Sequence, residues 1–157
     1  MDGLLIQETN KSFTKLKNIF SAIDNEQNKY NWLITEIDYA TFNKEIATFS
    51  QPYTWISGEE LTARIEEDDG FWVWGVFSGF TKDVELKDIL KYPLPYADGY
   101  EGFWNPEITI QHPLASVELV EWDSTAFIAI TENQIILNGL KKYFPTSQDL
   151  KKYNLEP

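Results

Sequence analysis

Apolar positions along this chain change their period several times, and each change marks an element. Phe13, Leu16, Phe20 and Ile23 fall three and four apart, with Lys15 and Lys17 off the stripe. That spacing predicts an amphipathic helix over residues 10–23. After a polar break at 24–29, the run YNWLITEIDY is rich in β-branched and aromatic residues and predicts a strand. Phe42, Ile46 and Phe49 are spaced for a short helix within 40–50.

Residues 53–56 read as another strand, and Ser57 followed by Glu60 has the spacing of a capping box. The helix it opens carries Leu61 and Ile65, bears the acidic run 66–69 off its stripe, and stops near Gly70. Residues 71–80 hold no charge at all and predict a central strand. Strand, helix and strand in this order predict a βαβ crossover, with part of the sheet parallel. A short helix follows at 85–91. Residues 116–122 and 126–130 flank a turn at Asp123 and Ser124 and predict a hairpin. Thr131 and Gln134 repeat the capping-box spacing before a helix carrying Ile135, Ile136, Leu140 and Phe144, which Pro145 ends.

The fold class expected from these elements is α+β: a single mixed, mostly antiparallel sheet of about five or six strands, with helices packed on one side. No repeat or linker divides the chain, so residues 1–157 read as a single domain, with about 146–157 as a loosely packed C-terminal tail.

Residues 92–113 fit no period. They contain Pro93, Pro95, Pro106 and Pro113 with Gly99 and Gly102, interleaved with Tyr92, Tyr96, Tyr100, Phe103 and Trp104. Irregular segments longer than about 12–15 residues are uncommon in compact domains unless they are functional or disordered. The aromatic density points to order.

Composition narrows the class. An apolar fraction of 43% and an aromatic fraction of 15% supply enough core to argue against disorder. There is no cysteine, hence no disulfide and no thiolate nucleophile. The N-terminal residues lack a basic leader, and no run approaches the roughly 18 apolar residues of a membrane span. The expected location is cytoplasmic, with no membrane partner.

Charge narrows the partner. Twenty-five acids face 13 bases, for a net charge of -12, and Arg64 is the only arginine. Nucleic acid, whose binding depends on neutralising phosphates, is thereby disfavoured, and a basic protein is favoured. From Lys91 to Lys141 no base intervenes, while Asp98, Glu101, Glu107, Glu118, Glu121, Asp123 and Glu132 are all acidic. This one-signed stretch contains the aromatic segment. Tyr and Trp are favoured interface anchors, and complementary charge orients association. The expected partner-binding residues are therefore Tyr96, Tyr100, Phe103 and Trp104 as anchors, with Asp98 and Glu101 steering. The plainer reading is that the rings cover the sheet and the acids confer solubility.

Candidate chemistry is sparse. His112 is the only histidine, and no G-x-S-x-G turn surrounds any serine, so a structural role is expected for it. Zinc ligands are essentially missing, and Asp98, Glu101 and Glu107 lack the twelve-residue calcium-loop pattern. No catalytic residue, metal or cofactor is assigned. Glu118 and Glu121 beside Trp122 fit an alternative, a small hydrolase or carbohydrate-binding module using the 92–113 loop, provided the carboxyls lie about 5–9 Å apart. Gly75 and Gly79 lie inside a strand and predict close packing or a bulge rather than a phosphate loop. A homodimeric structural protein is a further alternative.

The strings WISGEEL, WGVFSGF, YPLPYADGYEGFWNP, IQHPLASVELVEWDS and YFPTSQDLKKYN together resemble small acidic bacterial proteins of unknown function, in this order from about Tyr30 to Asn154. Such proteins look like the immunity proteins of polymorphic toxin systems. The resemblance implies a cytosolic antidote that occludes a toxin domain, and it carries no functional residue across. The acidic balance would suit a cationic toxin.

Overall fold

The computed structural model describes residues 1–7, 15–41 and 49–156. Phe13, Phe42 and Ile46, expected on helical stripes, lie outside the described residues.

Among the described residues the strands are β1 (Asp2–Ile6), β2 (Tyr30–Ala40), β3 (Tyr53–Ser57), β4 (Phe71–Thr81), β5 (Val117–Trp122), β6 (Ala126–Thr131) and β7 (Gln148–Asp149). The helices are α1 (Leu16–Ala22), α2 (Gly58–Glu67), α3 (Leu86–Ile89), α4 (Gln134–Tyr143) and α5 (Leu150–Leu155). One sheet takes all seven strands in the order β3-β2-β4-β5-β6-β1-β7. The α+β class expected from the sequence is what the chain forms.

Every strand pair described is antiparallel, which corrects the expected parallel pairing. β3, α2 and β4 do form a crossover between strands of the same direction. But β2 lies between β3 and β4 and pairs antiparallel with both. A strand–helix–strand pattern fixes direction and leaves open whether another strand inserts between.

The sheet is buried on both faces, which explains why its strands read as continuous apolar runs rather than alternating ones. On the first face, Trp32, Ile34, Phe77, Leu119 and Phe127 meet Leu16, Ile19 and Phe20 of α1, Leu61 and Ile65 of α2, and Ile136, Leu137 and Leu140 of α4. These three helices lie on one side, whereas α3 and α5 pack on the other, which corrects the expected one-sided arrangement. The second face presents Leu5, Val76, Val120, Ile128 and Ile130. It is roofed by Ala97, Phe103 and Ile108 of the long segment and by Leu150. Beside them, Leu33 and Phe80 pack with Ile89 of α3.

Local signals set the helix starts. Ser57 Oγ accepts from Glu60 N at 3.1 Å, as the spacing predicts. The expected cap at Thr131 is displaced to Asn133, whose Oδ1 accepts from Ile135 N at 3.0 Å and Ile136 N at 3.4 Å. Thr131 Oγ1 in turn accepts from Asn133 N. With that register Leu137 turns inward and Ile135, expected in the core, is 54% exposed. Gly75 and Gly79 are close-packed, as expected. A Cβ on Gly75 would sit 2.7 Å from the Trp72 ring, and one on Gly79 would sit 2.9 Å from the Trp32 ring.

The C-terminal residues are not the loosely packed tail expected at 146–157. β7 pairs with β1, Leu150 is fully buried, and Asn154 Nδ2 donates to Phe103 O and Asn105 O at 2.9 and 3.0 Å. One buried leucine and one amide suffice to dock a helix too short and polar to show a stripe. Among the described residues no helix is long and apolar enough to cross a membrane.

Removing the Ser57 cap should test the α2 start. Ser57→Ala is expected to destabilise the chain by about 1 kcal/mol in urea unfolding without changing the denaturant slope.

Candidate functional site

A roof without regular hydrogen bonding needs partners for its backbone amides. Over residues 92–113 the sheet supplies them. Glu36 sits in β2 at a left-handed φ of 48°, beside the register shift between Thr35 and Asp38. Its carboxylate reaches the roof, accepting from Ala97 N and, at 3.0 and 3.1 Å, from Asp98 N. Gln111 brackets Tyr96, accepting from its N–H at 3.0 Å and donating to its carbonyl at 2.8 Å. Gln111 N itself donates to Glu118 Oε1 at 3.3 Å. His112 is buried. Its Nε2 lies 2.9 Å from Ile89 O, and its Nδ1 accepts from Leu114 N at 3.1 Å. With both ring nitrogens on backbone groups, His112 joins α3 to the segment, a structural role.

The predicted site residues are divided by this arrangement. Asp98 and Glu101 are exposed, and Tyr96 is 48% exposed. Tyr100 and Trp104 are half-buried. Phe103 is completely buried, which corrects its assignment as a partner anchor: it packs on Val120 and Ile128 in the second core. The rings form one chain of edge contacts, Tyr96 to Tyr100 at 5.3 Å and Tyr100 to Phe103 at 4.6 Å. Continuing it, Phe103 meets Trp122 at 6.1 Å. Of these rings Phe103 covers the sheet, Tyr100 and Trp104 are half-buried, and Tyr96 opens outward.

The chain of rings ends in a cleft of about 480 Å³ lined by Gln7, Trp104, Trp122, Thr125, Ala126, Tyr153, Asn154 and Glu156. Trp104 and Trp122 meet at 86° with centroids 5.0 Å apart, and Tyr153 lies 6.1 Å from Trp104. Trp74 braces Trp122 from the side at 4.9 Å. Tyr153 and Glu156 were not singled out by sequence reasoning, which read both as tail, and Trp122 entered only as a strand residue beside Glu118 and Glu121. The signal available for Tyr153 was the string YFPTSQDLKKYN, one of those carrying the resemblance.

Glu118 and Glu121 do not form a pair. They lie three apart on β5, so they point to opposite faces of the sheet, and both are fully buried. Two carboxyls separated by a sheet cannot flank one glycosidic bond. Glu118 faces the roof, where its Oε2, Ser78 Oγ and Thr35 Oγ1 have no hydrogen-bond partner among the described residues. Burial pushes its carboxyl up to about 8, against the lowering effect of the Gln111 hydrogen bonds. Glu121 faces the helical side with neither oxygen hydrogen-bonded among the described residues, and burial followed by the nearby Asp69 raises it well above the ordinary carboxyl range. Asp69 is itself raised to about 6 by burial, even though it accepts from Leu16 N and Lys17 N at 3.1 and 3.0 Å and so caps α1 from a distant loop. Among the described residues no group of three His, Asp or Glu side chains gathers into a metal site.

The molecule is thus an acidic α+β protein whose irregular roof ends in an aromatic cleft. The chain belongs to the family DUF2691, described as a protein of unknown function, whose model matches residues 1–94. The match spans β1 to α3 and stops where the roof begins. No curated protein and no solved structure matches the chain.

A raised carboxyl makes the folded state bind a proton that the unfolded chain has released. For Glu118 this holds from about 4.5 to about 8, so its contribution to stability is lost as pH rises through that window. Unfolding free energy should therefore fall with pH between about 6 and 8. Glu118→Gln should flatten part of that slope, and Glu118→Gln with Glu121→Gln should flatten most of it, as read by urea titrations at stepped pH.

Proposed function

We propose that this chain is a protein-binding module that docks a basic partner on the acidic, aromatic roof of its sheet. The observation that carries the reading is the outward side of residues 92–113. Tyr96 is open there beside exposed Asp98, Glu101 and Glu107, and no lysine or arginine occurs in the segment. Rings held in place by a sheet lose little entropy on binding, and one-signed rims speed and orient encounter. Carbonyls and amides of the segment are already tied to Glu36 and Gln111, so the surface is preformed.

α5 modifies the charge picture. It adds Lys151 and Lys152 to the surface, and Lys151 pairs with Asp2 at 3.4 Å. The steering residues are therefore the segment's own acids. The resemblance to immunity proteins makes a cationic toxin domain the partner class to try, and inhibition by occlusion the consequence of docking.

The test is stopped-flow association with the product of the adjoining reading frame, with a basic and an acidic protein of equal size as charge controls. The expected result is tight binding to the basic product. Its association rate should fall about tenfold in Asp98→Lys with Glu101→Lys and lose most of its salt dependence. Unchanged kinetics in that double variant would remove the roof's role.

A further inference from the structure

The cleft at the end of the roof is built differently from the surface around Tyr96. Trp104 and Trp122 stand nearly perpendicular in an edge-to-face contact, and together with Tyr153 they make an open aromatic corner. Trp122 is braced by Trp74 and Phe103, each in a T-shaped contact with it. The Tyr153 wall is fixed too, because Asn154 of α5 donates to the carbonyls of Phe103 and Asn105 on either side of Trp104. The walls are therefore joined before any ligand arrives. At about 480 Å³ the space suits one extended side chain, and its described lining contains Glu156 and no base. Aromatic faces attract cations through their quadrupoles, and a carboxylate at the mouth adds to that attraction.

From this geometry we infer that the cleft receives a single lysine or arginine side chain of the basic partner, held against Trp104, Trp122 and Tyr153 with its charge toward Glu156. The inference rests on the basic-partner reading and names its anchor point. A neutral sugar, the other occupant that aromatic walls favour, would gain hydrogen bonds from the carboxylate but no charge attraction. The net charge of -12 adds a long-range field of the same sign.

The probes are small: tetramethylammonium and arginine amide, with 3,3-dimethylbutanol as the neutral match and glucose as the sugar. Tryptophan fluorescence and the indole N–H resonances of Trp104 and Trp122 report occupancy. Both cations should bind saturably and move those two resonances, while the neutral alcohol and glucose leave them in place. Tyr153→Leu and Trp104→Leu should each weaken the cations about fivefold, and Glu156→Gln, a surface change that leaves the core intact, about threefold. Asp98→Lys with Glu101→Lys should leave cation binding unchanged, since those residues lie outside the cleft. If the alcohol binds as well as tetramethylammonium, or glucose binds instead, or Glu156→Gln changes nothing, the inference fails. Failure here together with charge-sensitive association of the partner would retain the docking surface and discard the anchor. Cation binding with no partner association would do the reverse.

Discussion

Glu36 holds the amides of Ala97 and Asp98 from below, and the exposed half of the molecule depends on that contact. An irregular segment of some twenty residues cannot satisfy its own backbone, and desolvated amides cost about 1–3 kcal/mol each when unpaired. The sheet, together with Gln111 of the segment itself, meets this demand with side chains rather than with another strand. A left-handed residue in β2 turns a carboxylate toward the roof, Gln111 brackets Tyr96, and Glu118 takes the amide of Gln111. Once the backbone is fixed, Phe103 and Ile108 can be driven into the second core while Tyr96 and Asp98 face outward.

The same device explains the unusual acids. Glu118 and Glu121 sit on the central strand β5 and face opposite sides. Each is buried in a setting that favours the neutral form, so the formal charge overstates the negative charge actually carried near neutral pH. The exposed acids of the roof and cleft are Asp98, Glu101, Glu107 and Glu156. The proposed docking surface and the fold thus draw on different carboxylates.

Much of the fold was legible because its signals are local. The ten uncharged residues of β4, the Ser57 cap and the turn at Asp123 and Ser124, both at positive φ, announce themselves in sequence. The antiparallel insertion of β2 between β3 and β4 did not, because pairing partners are chosen by long-range packing. The site was half legible. Aromatic residues mark the segment, but the exposure of each depends on which way an irregular backbone turns, which no periodicity encodes. Phe103 and Trp104 are neighbours of the same chemical class, yet Phe103 is fully buried while Trp104 is half-buried and lines the cleft. Trp122, Tyr153 and Glu156 come from two distant segments, and only docking of α5 through Leu150 and Asn154 brings them together.

The central claim is that side chains of the sheet pin the roof as a preformed surface. Hydrogen–deuterium exchange resolved to the amides of Ala97, Asp98 and Gln111 tests it most directly. The account predicts protection approaching that of the β5 amides, with protection at Ala97 and Asp98 lost selectively in Glu36→Ala while β5 stays protected. Exchange of these amides at unprotected-loop rates in the unaltered chain would contradict it.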